Sequence, residues 1–93
     1  APSAELQLKM ARMMIQSKRY QDLVALAAKP AANANGEQRA DLKFLTGVAY
    51  FEQQKPKEAL NAFTQAAQNG NVSGRASPWI SFLKEQQGGA VTQ

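Results

Sequence analysis

The chain contains no cysteine and no histidine. Their absence removes disulfides, thiolate nucleophiles, imidazole bases and nearly every zinc site. A cysteine-free chain is compatible with an oxidising compartment but does not require one. Long apolar runs are also missing, and nothing approaches the roughly eighteen residues needed to cross a bilayer as a helix. No run of basic residues exceeds two, although Lys and Arg extend from Lys9 to Lys84 and the net charge is +4. That pattern reads as a solvated basic surface, with at most weak, salt-sensitive nucleic-acid association. No Gly-rich phosphate loop occurs, because Gly36, Gly70 and Gly74 stand alone as turn residues. The chain opens Ala-Pro-Ser without an initiator Met and without a signal peptide, so the expectation is a processed mature protein or part of a longer one.

What remains is a helical composition. Valine and isoleucine are few, alanine and glutamine are many, and 44% apolar content is ordinary for a globular chain. Ninety-three residues suit one small domain of modest stability. Ser3 is placed to cap a first helix over 4–16, with Glu5 in its first turn. Ser17-Lys18-Arg19 reads as a turn, and a second helix runs over 20–29 until Pro30 stops it. Leu6, Met10, Ala11, Met13 and Met14 share one apolar face of the first helix, and Leu23, Leu26 and Ala27 face inward from the second. A loop over 31–36 follows, then a third helix over 37–54. Pro56 opens a fourth helix at the position where its missing N–H costs nothing, and Asn69-Gly70 carries a left-handed termination signal. Ser77 and Pro78 then read as cap and first residue of a last helix, which Gly88-Gly89 ends.

The most specific stretch is ADLKFLTGVAYFEQQKPKEALNAFTQAA, residues 40–67. Gly47-x2-Tyr50 lies in the third helix and Ala59-x3-Phe63 in the fourth, with Ala66 beyond. Two helices approach closely only where side chains are small, so Gly47 and Ala59 make room that Tyr50 and Phe63 fill. Gly in a helix interior costs about 1 kcal/mol relative to Ala, which calls for a packing reason. Any antiparallel helical hairpin favours small residues at its crossing, but the spacing of these five positions resembles the tetratricopeptide repeat. Lys43, Thr46 and Asn71 depart from that family, which has Trp, Leu and Pro there.

A backward step of thirty-six residues places Ala11 under Gly47 and Met14 under Tyr50, giving a degenerate first repeat in which Leu23 and Ala27 exchange large for small. A forward step of thirty-six reaches Leu83, with Trp79, Phe82 and Leu83 expected to cover the second hairpin. The resemblance therefore implies an all-α fold, a right-handed superhelical solenoid of two hairpins and a C-terminal capping helix. The expectation is one domain over 1–89, with repeats about 4–35 and 40–70, a cap about 77–87 and a disordered tail over 90–93.

The resemblance also implies a function: a non-catalytic protein-interaction module or scaffold that takes a peptide or helix in a groove lined by the first helix of each hairpin. In this register the groove residues are Glu5, Leu8, Lys9, Arg12, Ile15 and Gln16 on helix one. On helix three they are Asp41, Phe44, Leu45, Val48, Phe51 and Glu52, and the cap adds Ile80, Ser81 and Lys84. Helix three is thus apolar on two sides, where a surface helix has one apolar stripe. Part of the second stripe can pack on helix one and on Ile80; the rest can form an exposed strip rimmed by charge. Both can hold together. Phe44, Val48 and Phe51 are the expected contacts, with Leu8 beside them and Lys9, Arg12 and Lys84 at the rim.

Some relatives clamp a peptide carboxylate with Lys and Asn, but Leu8, Arg12 and Leu45 stand at the corresponding positions here. Asp41 and Glu52 lie about 16 Å apart along one helix, too far for a glycosidase pair, and no enzyme chemistry or cofactor is expected. The alternative is a self-associating scaffold segment of a larger bacterial envelope protein, and the Gln- and Ala-rich makeup points towards the periplasm.

Overall fold

The structure, a computed structural model, describes residues 3–29 and 33–92, with side chains as far as residue 87. Among these residues the chain is all helical and contains no strand. The helices are α1 (Ala4–Gln16), α2 (Tyr20–Ala27), α3 (Gly36–Glu52), α4 (Pro56–Ala66) and α5 (Gly70–Thr92).

Local chemistry accounts for the element ends. Ser3 caps α1, its Oγ accepting from the Leu6 N–H at 3.2 Å. Asn35 and Gln38 form a reciprocal capping box that starts α3 at Gly36, so Gly36 belongs to the helix rather than to the preceding loop. Pro56 is the first residue of α4, as its fixed φ favours. The two hairpin turns are alike. Lys18 and Gln54, thirty-six residues apart, hold left-handed φ values of 59° and 61°. The Lys18 and Gln54 N–H groups donate to Ile15 and Phe51 carbonyls at 3.1 and 3.0 Å. The Arg19 and Lys55 N–H groups donate to Met14 and Tyr50 carbonyls at 2.8 and 2.9 Å. This is the Schellman pattern, and it shortens α3 by two residues from the expected end at Gln54. α2 likewise ends at Ala27 rather than Lys29; Pro30, expected to stop it, and Ala31 and Ala32 lie outside the described residues.

The last helix differs most from expectation. Gly70 has no positive φ and does not terminate α4 in the left-handed region; it opens α5. Ser77 is not a cap, because its Oγ donates back to the Ser73 carbonyl at 2.8 Å within a continuous helix. Pro78 sits inside that helix and deprives the Gly74 carbonyl of its partner. Both residues are exposed, so water can satisfy that carbonyl and the interruption is tolerated. Gly88 and Gly89 lie within α5, which continues through 90–92 where a disordered tail was expected; Gln93 lies outside the described residues.

α1 packs on α2 and α3, and α3 packs in turn on α2, α4 and α5. Two apolar clusters meet at α3. Ala11, Leu23, Leu26 and Ala49 form one, and Ala40, Ala59, Phe63, Ala66, Val72, Ala76 and Leu83 form the other. The close approach expected at Gly47 is present, and the Phe63 ring fills the room beside it as expected. A Cβ at Gly47 would lie 2.8 Å from the Phe63 ring carbons.

The inward face of α1 is rotated from the expected one. Ala4, Gln7, Leu8 and Ala11 are buried, whereas Leu6 is 49% and Met13 65% exposed. The equivalents of Leu6 and Met13 on α3, Leu42 and Ala49, pack on the α1–α2 hairpin. Among the described residues no earlier hairpin covers α1 in the same way.

Candidate functional site

The second apolar stripe of α3 meets α5 in an aromatic cluster. Phe63 of α4 is its centre. Trp79 stacks on Phe63 with centroids 4.9 Å apart and planes at 17°, and Phe44 meets Phe63 edge-on at 5.5 Å. Phe51 meets Trp79 edge-on at 5.2 Å and Phe82 at 5.9 Å. Phe63 is fully buried, Phe44, Phe51 and Trp79 are half-buried, and Phe82 is 44% exposed. The cluster thus runs from the core to the surface, and its outer edge is Phe82 on Phe51.

One end is electrostatically fixed. The Arg75 guanidinium lies 5.4 Å from the Phe44 ring centroid and is ion-paired with Asp41. Glu37 accepts a hydrogen bond from the Asn71 side chain at 3.0 Å one turn earlier. These contacts tie α5 to α3 at the level where the aromatic strip begins. Each is worth little in exposed surroundings, but together they set the register of the two helices.

The expected site residues separate into groups. Phe44, Val48 and Phe51 lie together on α3 and pack against the second core cluster, so each is half-buried rather than freely exposed. Leu45 and Ile15 turn to the first cluster instead. Leu8 is 6% exposed and belongs to the interior of the first hairpin. Lys9 and Arg12 are exposed on α1 and Lys84 on α5, and among the described residues none of the three takes part in an ion pair.

Phe82 and Arg75 were the residues missed. The signal was the spacing: Gly70 follows Gly36 by thirty-four residues, not thirty-six. A thirty-four-residue step puts Arg75 under Asp41 and Phe82 under Val48, both expected to face the groove, and moves Lys84 under Tyr50, which was expected to face the core.

Among the described residues no group of acidic side chains could hold a metal ion, and no helix is long and apolar enough to cross a membrane. The strip offers apolar surface, ring edges and one paired guanidinium, which suits contact and packing. No family model, curated protein or solved structure matches the chain.

Proposed function

We propose that this chain is a non-catalytic protein-interaction module, a short tetratricopeptide-like array whose binding face is the strip of Phe44, Val48, Phe51 and Phe82 shared by α3 and α5. Phe82 is the observation that carries it. A single exposed apolar residue is ordinary on any surface. Phe82 instead continues a series of contacting aromatic rings out of the core, and such a half-buried platform gives a ligand rigid apolar contact at small entropic cost.

The repeat reading is supported by periodicity in three places. The two hairpin turns match bond for bond at a spacing of thirty-six residues. Leu42, Leu45 and Ala49 of α3 pack on the hairpin before them. Their equivalents thirty-four residues on, Ala76, Trp79 and Leu83 of α5, pack likewise on the hairpin before them. The outward positions of α5 are polar or small: Gly74, Pro78, Ser81 and Glu85 are all exposed, as a terminal capping helix requires. A superhelical array of this kind presents its first helices, here α1, α3 and α5, to the ligand.

The ligand class is an amphipathic helix or extended peptide with apolar anchors. Lys9, Arg12 and the +4 net charge favour acidic flanks and act mainly on association rate and salt dependence. The test is selection of peptides from a random library against the intact protein, followed by amide chemical-shift mapping. Shifts centred on Phe44, Val48, Phe51 and Phe82 are expected. Shifts confined to other faces would overturn the assignment. Self-association is the competing reading, favoured by exposed Leu6 and Met13; light scattering that gives a dimer mass in dilute solution would support it.

A further inference from the structure

The chain has three methionines, no cysteine and no histidine, so three thioethers are its only sulfur donors. All three, Met10, Met13 and Met14, fall within five residues of α1. The sequence puts them on one apolar face, but the structure divides them. Met10 and Met14 are half-buried and pack on the first apolar cluster, whereas Met13 is 65% exposed. Burial accounts for Met10 and Met14 and leaves Met13 without a packing reason.

The three meet in one shallow pocket of about 140 Å³, which Ser17 and Arg19 complete. Their spacing brings this about. Met13 and Met14 follow Met10 by three and four residues, the offsets that place side chains on adjacent turns about 5–6 Å apart at Cβ. Helical side chains lean towards the N-terminus, so Met13 and Met14 lean over the turn that carries Met10. Each thioether sits on a flexible, unbranched stem, so the sulfurs can converge without movement of the backbone. The cluster already holds Met10 and Met14, and the cost of ordering falls mainly on Met13.

The surroundings are soft and nearly neutral. Among the described residues no carboxylate lines the pocket, and neither Lys9 nor Arg12 does. Arg19, the charged residue of the lining, is ion-paired with Asp22 at 2.8 Å. Three thioethers without imidazole, thiolate or carboxylate are a poor set for zinc, calcium or magnesium. They suit a soft, singly charged ion, and among biological metals that is Cu(I).

We propose that this pocket binds Cu(I) through the Sδ atoms of Met10, Met13 and Met14. Met10 and Met14 form the preset side of the site, and the exposed Met13 closes over the ion from solvent. The pocket shares no residue with the Phe82 strip, so either assignment can fail without the other.

The test uses the full chain with carbon-13-labelled methionine methyl groups. The probes are silver(I) nitrate in chloride-free buffer and Cu(I) supplied anaerobically as its acetonitrile complex. Every methionine methyl signal then reports on the site, because the chain has no other methionine. With each ion the three signals should move together and saturate at one ion per chain, and zinc sulfate should leave them in place. Met13→Leu should keep its thermal midpoint and bind silver(I) at least about tenfold more weakly. Met14→Leu, which conserves volume, should weaken binding to a similar degree. Movement of the Met13 signal alone, saturation of the three signals at different silver concentrations, an equal response to zinc, or undiminished binding by Met13→Leu would each overturn the proposal. The wild-type titrations and Met13→Leu decide the matter even where Met14→Leu fails to fold.

Discussion

At Gly47 two effects of opposite sign meet. Helix propensity alone makes Gly47→Ala stabilising by about 1 kcal/mol. The new methyl group would lie 2.8 Å from the Phe63 ring, which is itself fully buried between Phe44 and Trp79 and has no room to move. Overpacking of a filled core costs about 1–3 kcal/mol, so the clash wins and Gly47→Ala should lower the urea midpoint. An unchanged or higher midpoint would mean that α3 and α4 are not in close contact there. This contact was legible in the sequence because Gly in a helix interior needs a reason. The side chain that uses the space, Phe63, was legible too; the stacking of Trp79 on its other face was not, because spacing along each helix does not show ring geometry. Phe82 was missed for a related reason: a register two residues too long placed it against the core.

The helical elements were legible where their end signals are short-range. Ser3 marks α1 through a bond that closes within one turn, and Pro56 marks α4 through its fixed φ. The Schellman turns carry a testable cost, since Lys18 and Gln54 hold a left-handed conformation that glycine adopts freely. Gln54→Gly should stabilise by about 0.5–1 kcal/mol in thermal or urea unfolding. Destabilisation would show that the Gln54 side chain contributes more than its backbone strain removes.

The end of the chain was misread because Ser77-Pro78 is also a good helix start. What decides between start and interior is tertiary: Val72 and Ala76 are fully buried on α3 and α4, and their burial holds the earlier turns of α5 helical. Pro78→Ala separates the two. At a first helical position Pro is neutral, but in a helix interior it is about 3 kcal/mol worse than Ala. A gain of about 1–3 kcal/mol is therefore expected, and a change near zero would place the helix start at Pro78.

At the scale of the whole molecule, two apolar clusters share α3, and the second is larger because α5 closes it with Val72, Ala76 and Leu83. The all-α class and the hairpin pairing follow from apolar periodicity and could be read from the chain alone. The rotation of α1 could not, because Leu6 and Met13 occupy positions that a preceding hairpin would cover, and a sequence pattern does not show whether one is there. The same limit governed the strip on α3: periodicity showed a second apolar side, but only the contacts with Trp79 and Phe82 show how it divides between core and surface. Phe51 belongs to both, so Phe51→Ala would lower stability and binding together. Phe82 is the position where they separate. The decisive measurement is the affinity of library-selected peptides for the wild type and for Phe82→Ala, with the thermal midpoint of each protein. Binding weakened by more than about tenfold, with stability changed by less than about 0.5 kcal/mol, is the expected result. Undiminished binding by Phe82→Ala would contradict the assignment of this strip as the interaction surface.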